Sequence, residues 1–259
     1  MLASLMPRFL KRLLGGALRR SGYQLVNIQK IYDFDGLHTV HHARFLEDPK
    51  FRSAWEGAFE AAGRGDARSS WRIHIGVWAA SLAARAAGDF VECGVNAGYL
   101  SSAIVRYLDW NQLGKRFYLV DTFAGPVLSQ FSAEEIQGGL REAVEKSVVE
   151  GGYVLDADAV RRNYRGWDGI EVVQGVVPDI LPSLTTERVA FLHLDMNCAY
   201  PECEALRFFW ERMGPGAVVL MDDYSYFGYE AQGRLLDAVA RELGTTILAL
   251  PTGQGLIVK

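Results

Sequence analysis

From Gly88 to the C-terminus the sequence alternates short, continuously apolar runs with stretches of helical periodicity, and this rhythm leaves few folds open. The runs are 89–93 (DFVEC), 116–121 (RFYLVD), 170–175 (IEVVQG), 189–195 (VAFLHLD), 217–223 (AVVLMDD), 246–250 (TILAL) and 256–258 (LIV). Several are apolar on consecutive residues rather than on every second one, as in strands covered on both faces. Between the first two, Leu100, Ala103, Ile104, Tyr107 and Leu108 recur at i, i+3, i+4, i+7 and i+8, which makes one apolar stripe on a helix. Leu206, Phe209, Trp210 and Met213 repeat the stripe from Pro201 to Met213, and Pro215-Gly216 is expected to break it before the next strand. Strands joined by helical crossovers build a parallel sheet. Only residues 251–255 join the last two runs, a hairpin length, so the final strand should run antiparallel to its neighbour. The expected fold is α/β, a doubly wound, mainly parallel seven-stranded sheet with the last strand reversed.

Two regions fall outside this rhythm. Residues 1–87 carry helical patterns, including Trp71 to Ala87, and are expected to form an N-terminal helical arm and cap on the main domain, 88–259. Residues 122–169 form a long insertion after the second strand, with a charged helical segment at 133–149 and a glycine pair at Gly151-Gly152; a long connection at the carboxyl end of a parallel sheet suits a lid. The first twenty residues hold Arg8, Lys11, Arg12, Arg19 and Arg20 without an acid, interleaved with Leu5, Phe9, Leu13, Leu14 and Leu18. Such a basic amphipathic helix packs on the body, on a second subunit in a homodimer, or against a membrane surface. Arginines interrupt its apolar stretch, so it is not a signal peptide, and nothing in the chain approaches the roughly 20 apolar residues that span a bilayer.

Charge and cysteine content remove other classes. Lys and Arg total 27 against 31 Asp and Glu, a net charge of -4, so no basic field is available to hold nucleic acid. The 3 cysteines, Cys93, Cys198 and Cys203, form neither a disulfide framework nor a zinc pattern, which fits a cytoplasmic protein.

Ligands of open α/β sheets sit beyond the carboxyl ends of the strands. The first strand ends in 92–98 (ECGVNAG) and a helix begins at Tyr99. Its glycines permit close backbone approach, and a helix N-terminus offers amide hydrogens to a carboxylate while Glu92 would face an ammonium. That combination suits the amino-acid tail of S-adenosylmethionine; the second glycine of a dinucleotide fingerprint is missing. The next strand ends in Asp121-Thr122, where an acid accepts hydrogen bonds from ribose hydroxyls or else caps a turn. Gly175 closes the third and would wall the adenine, with Asp179 either near its amino group or capping a turn. The candidate cofactor residues are Glu92, Gly94, Asn96, Gly98, Tyr99, Asp121, Thr122 and Gly175.

The fourth strand ends in His193-Leu-Asp195, followed by Asn197, and the fifth in Asp222-Asp223. If these strands are neighbours, three carboxylates converge and repel unless protons or a cation intervene. All-oxygen ligands with open positions favour Mg2+ or Mn2+, bound by Asp195, Asp222 and Asp223. Such an ion acidifies a substrate hydroxyl, and Asp195 could take its proton. His193 points the same way as Asp195 but one layer deeper, the place of a hydrogen-bonded core histidine.

At these residues the sequence resembles the macrocin O-methyltransferase family, which methylates sugar hydroxyls. The likeness lies in 90–95 (FVECGV), 118–125 (YLVDTFAG), 192–195 (LHLD) and 218–224 (VVLMDDY), and runs from about Gly88 to the C-terminus. It implies that Glu92, Gly94 and Asp121 serve S-adenosylmethionine, that Asp195, Asp222 and Asp223 hold magnesium, and that Asp195 is the general base. Asn96, Ala97, Ala124 and Asn197 depart from residues frequent in the family, and the N-terminal region, which would choose the acceptor, matches poorly. The expected activity is O-methylation of a sugar hydroxyl on a glycoside, nucleotide sugar or polysaccharide. The alternatives are a metal-dependent O-methyltransferase of a catechol or other small vicinal diol, and a cofactor-binding protein without turnover. A nicotinamide-dependent oxidoreductase is disfavoured by the missing glycine and the paired aspartates.

Overall fold

Consecutive apolar residues in a strand need cover on both sides, and the structure, a computed structural model that describes residues 8–23, 31–63 and 69–259, supplies it. The chain divides into two compact units, 1–43 and 44–259. The first contains helix α1 (Arg8–Arg20) and a hairpin of β1 (Tyr32–Phe34) and β2 (Leu37–Thr39). Asp35 and Gly36 turn that hairpin with φ of 53° and 70°, the left-handed pair that a two-residue loop requires. Leu5, part of the predicted basic helix, lies outside the described residues.

The second unit starts with α2 (Pro49–Ala62), whose N-terminus is capped by the Asp48 carboxylate accepting from Lys50 N–H at 2.9 Å. Then follow α3 (Ser70–Ala83), β3 (Asp89–Cys93), α4 (Tyr99–Tyr107) and β4 (Phe117–Asp121). The insertion is helical: α5 (Ala133–Gln137), α6 (Leu140–Val149) and α7 (Ala157–Asn163). The remainder is β5 (Ile170–Gln174), β6 (Val189–Leu194), α8 (Ala199–Trp210), β7 (Met213–Met221), α9 (Glu230–Glu242), β8 (Leu248–Ala249) and β9 (Gly255–Val258).

These strands form the expected seven-stranded sheet, in the order β5-β4-β3-β6-β7-β9-β8, with β9 antiparallel to both neighbours. Strand order reverses between β3 and β6, which opens a crevice at their carboxyl ends. Alternate residues of the same strands feed two cores. Phe90, Leu119, Phe191 and Leu220 pack with α2, α3 and α4, while Val91, Val120, Leu192 and Val219 pack with α8 and α9. Gly76 of α3 lets that helix lie close on α4, since a Cβ there would stand 2.4 Å from Leu100 Cδ1.

One expectation fails locally. The helix predicted to run to Met213 stops at Trp210, and β7 begins at Met213 and runs through Pro215-Gly216 instead of starting after them. Val189 pairs with Met213 and Phe191 with Val218, a register shift that loops the extra residues out of the ladder. A bulge is where a strand tolerates proline and a left-handed glycine, and Gly216 has φ 82°. Among the described residues no helix is long and apolar enough to cross a membrane.

Candidate functional site

Strand ends deliver the site. Gly94, the first residue past β3, donates its N–H to Val120 O at 2.8 Å and has φ 89°. A Cβ at Gly94 would lie 1.9 Å from the Asp195 carbonyl oxygen, so only glycine lets the ends of β3 and β6 close together. Asp121, at the end of β4, organises the turn beyond β3. Its Oδ2 accepts from Val95 N–H at 2.7 Å and Asn96 N–H at 2.9 Å, and its Oδ1 accepts from Phe123 N–H at 2.7 Å. Around these ends lies a cleft lined by Gly94, Val120, Asp121, Thr122, Gly175, Val177, Asp195 and Asn197, among others. The insertion contributes Gly125, Pro126, Val127, Gln130 and Tyr153 to the same walls.

Of the candidate cofactor residues, Gly94, Asp121, Thr122 and Gly175 line this cleft. Glu92 lies behind it, buried, with Oε1 2.9 Å from Nδ1 of the equally buried His193, its register partner across β3 and β6. Asn96 ties the turn to the insertion, its Nδ2 donating to Gly152 O at 3.0 Å and its Oδ1 accepting from Val154 N–H at 2.9 Å. Gly98 sits under Tyr164, whose hydroxyl donates to Gly98 O at 3.0 Å, and the ring of Tyr99 meets Phe59 edge-on. Neither these residues nor Asp179 belong to the cleft lining.

The aspartates do converge. Asp195 and Asp222 follow the last residues of β6 and β7 and continue the ladder: Asp195 N–H donates to Cys93 O and Asp222 N–H to Leu194 O, both at 2.9 Å. One carboxylate oxygen from each of Asp195, Asp222 and Asp223 lies within 4.8 Å of the others. Asp222 holds the last ladder position, and Asp223, beyond it, is free of strand alternation and brings its carboxylate to the same place. Burial, then the neighbouring Asp222 and Asp223, holds the Asp195 carboxyl well above the usual carboxylate range. Burial and Asp222 likewise push Asp223 up to about 7. Three oxygen donors crowded at this cost to their charges form a set that a hard divalent cation fits.

Several residues of this site carry no signal at a strand end. Arg72 of α3 donates to the Asp222 carboxylate, and its Nη1 stands 3.5 Å from Asp223 Oδ1. It is the one formal charge in the helical segment SWRIHIGVWAASLA, and that isolation is the mark by which sequence could single it out. Gln254, buried in the β8–β9 turn, donates from Nε2 to Asp222 Oδ1 at 2.9 Å. Buried Glu202 of α8 accepts from Met196 N–H at 2.9 Å and from Gln232 Nε2 at 2.9 Å, and so fixes the turn after Asp195. Burial pushes its carboxyl up to about 8. Tyr229 donates to Asn197 Oδ1 at 2.7 Å, and Asn197 Nδ2 reaches Asp195 Oδ1 at 3.4 Å. Burial, then nearby carboxylates, holds the Tyr153 and Tyr229 phenols above their ordinary range, so both stay protonated.

A sheet in this order, with its reversed strand next to one edge and its cleft at the switch point, is a Rossmann-like methyltransferase fold. The solved O-methyltransferase NovP superposes with a TM-score of 0.61 at 18% identity, covering 73% of this chain and 79% of that one. The calicheamicin methyltransferase CalS11 gives a TM-score of 0.54 at 13% identity, over 87% of this chain and 96% of its own. Residues 77–233 match the macrocin-O-methyltransferase (TylF) family, and the chain belongs to it. A relative from Streptomyces olivaceus, 8-demethyl-8-(2,3-dimethoxy-alpha-L-rhamnosyl)-tetracenomycin-C 4'-O-methyltransferase, is 26% identical over 145 residues, 53% of this chain and 53% of that protein. The match thus spans about half the length of that relative.

Proposed function

We propose that this protein is an S-adenosylmethionine-dependent O-methyltransferase that uses Mg2+ or Mn2+ and acts on a sugar hydroxyl of a glycoside, nucleotide sugar or polysaccharide. The observation that carries the reading is the meeting of Asp195, Asp222 and Asp223, of which Asp195 lines the strand-end cleft. Membership of the family and the rhamnosyl substrate named for the Streptomyces relative support a sugar over a catechol.

The cleft suits an adenosyl group, with apolar walls from Val120, Val127, Val176 and Val177 and polar groups from Asp121, Thr122 and Gln130. Of the candidate cofactor residues, Gly94, Asp121, Thr122 and Gly175 would touch it; Glu92, Asn96, Gly98 and Tyr99 would shape the loop around it. Asp195, Asp222 and Asp223 would hold the cation, which when bound would supply Lewis acidity to lower the pKa of the acceptor hydroxyl. Asp195, which lines the cleft, removes the hydroxyl proton as the oxygen attacks the sulfonium methyl and the methyl–sulfur bond breaks, leaving S-adenosylhomocysteine. Asn197, held by Tyr229, steadies Asp195, and Gln254 steadies Asp222. The insertion over the cleft excludes water from the transfer. Residues 1–87 as an acceptor-choosing cap, a homodimer and a cytoplasmic location belong to the same reading; light scattering on the purified chain tests the dimer.

The test is transfer of labelled methyl from S-adenosylmethionine to a panel of rhamnosides, nucleotide sugars and catechols, with Mg2+ present or chelated. Methylated sugar only in the presence of the ion is expected. Methylation of catechols alone would replace the acceptor assignment, activity indifferent to chelation would remove the metal, and tight cofactor binding without transfer to any acceptor would leave a binding protein.

A further inference from the structure

Arg72 stands out because it is a cation seated where another cation is expected. Its side chain is largely buried, with 12% of its surface exposed. It donates to the Asp222 carboxylate, lies 3.4 Å from the Asp222 main-chain oxygen and 3.5 Å from Asp223 Oδ1, and stacks over the Tyr226 ring at 4.9 Å. Asp222 is thereby engaged on both carboxylate oxygens, since Gln254 holds the other. The Asp195 carboxylate, by contrast, is met by Asn197 Nδ2 at a long 3.4 Å and lines the cleft. The three carboxylates therefore differ: two carry a positive partner, and one faces the substrate side.

We infer that Arg72 is a built-in rival of the divalent cation, holding Asp222 and Asp223 in the metal-free protein and yielding them as the ion enters. This rests on the carboxylate cluster being the metal site. A guanidinium and a divalent ion sharing the same two carboxylates repel each other in a partly buried site, where screening is weak. Entry of the ion thus requires Arg72 to withdraw from Asp222, and the face of Tyr226 gives it a place to stay without losing all its favourable contacts. The consequence is a resting protein of modest metal affinity whose α3 is tied to the state of the metal site. Arg72 acts through Asp222 and Asp223, as a positioning residue.

The competing view is that Arg72 preorganises the carboxylates by relieving their mutual repulsion, in which case its loss would weaken metal binding. The two views predict opposite signs. Mn2+ titration of the full chain without cofactor or acceptor, followed by calorimetry and by the paramagnetic signal of free Mn2+, separates them for the parent, Arg72→Gln and Arg72→Lys. Competition predicts that Arg72→Gln binds Mn2+ at least tenfold more tightly and that Arg72→Lys, which keeps the charge, stays within threefold of the parent. Unchanged or weaker binding in a folded Arg72→Gln overturns the inference, and so does tightening by the same amount in Arg72→Lys. If neither the parent nor Arg72→Gln binds Mn2+ while S-adenosylhomocysteine still binds, the metal reading itself fails and takes the inference with it. Thermal melts of each variant establish that the fold is intact, and Arg72→Met serves as the neutral replacement if Arg72→Gln does not fold.

Discussion

Asp195 and Glu202 are both carboxyls pushed upward by burial, yet they are built for different work. Asp195 opens to the cleft, whereas Glu202 is enclosed and both its oxygens accept hydrogen bonds. Asp195→Asn removes the basic oxygen while preserving volume, so methyl transfer should fall by roughly 10²–10⁴-fold, the usual worth of a positioned base, with cofactor affinity nearly unchanged. Stopped single-turnover assays beside calorimetry with S-adenosylhomocysteine check this, and full activity would remove Asp195 from proton transfer. Glu202 has a folded-state pKa near 8, above the ordinary carboxyl value of 4.5. The folded state therefore binds its proton more tightly than the unfolded chain, and Glu202 costs nothing at low pH but destabilises progressively as pH rises from about 4.5 through about 8. Glu202→Gln removes that cost, and rotation of the Gln232 amide would present its unpartnered Oε1 to the new amide. The variant should melt several degrees higher than the parent at pH 8, at roughly 2–4 °C per kcal/mol relieved, and equally near pH 4. A lower melting temperature at pH 8 would mean that the charge of Glu202 is needed to hold the turn after Asp195.

At the scale of elements, the apolar runs foretold the strands because a covered strand has no alternative composition, and the strand-end acids were legible because position in a parallel sheet fixes where they point. What the runs hid was partnership. Arg72 and Gln254 reach Asp222 from α3 and from a hairpin turn, Tyr229 reaches Asn197 from the start of α9, and no local periodicity records which distant segment packs where. The pairing of Glu92 with His193 was hidden for the same reason, because only the sheet shows that the first and fourth strands lie side by side. The start of β7 was misplaced because Pro215-Gly216 reads as a boundary, while a bulge tolerates both. Asp121 shows how one side chain can join elements, for it accepts from amides on both the β3 and β4 turns. A carboxylate accepts on both oxygens, whereas an amide must turn a donor towards one of these N–H groups. Asp121→Ala and Asp121→Asn should therefore both lower stability by about 1–3 kcal/mol and weaken cofactor binding, as urea unfolding and calorimetry would measure. An Asn variant as stable as the parent would show that one acceptor suffices.

The whole molecule must keep three carboxylates close in a protein whose net charge is already -4, and the strain of doing so should be visible in its stability. Asp195 and Asp223 have folded-state pKa values above the ordinary range, that of Asp223 near 7. By the same sign as for Glu202, their burden is absent below about pH 4 and grows as pH rises through about 7, so the metal-free protein should lose melting temperature across that window. A divalent cation binds the ionised carboxylates alone, and its stabilisation therefore strengthens as the protons leave. At a hundredfold excess over its dissociation constant it is worth about 2.7 kcal/mol, or roughly 5–11 °C in a domain of this size. Melting curves with Mg2+ and with chelator should accordingly converge near pH 5 and separate by pH 8. Glu202 lies outside the donor set, so part of the decline should persist with Mg2+ in the parent and disappear in Glu202→Gln. Curves with and without the ion that stay parallel from pH 5 to 8 would mean that binding does not depend on Asp195 and Asp223 giving up protons, and the carboxylate cluster would lose its claim to be the metal site.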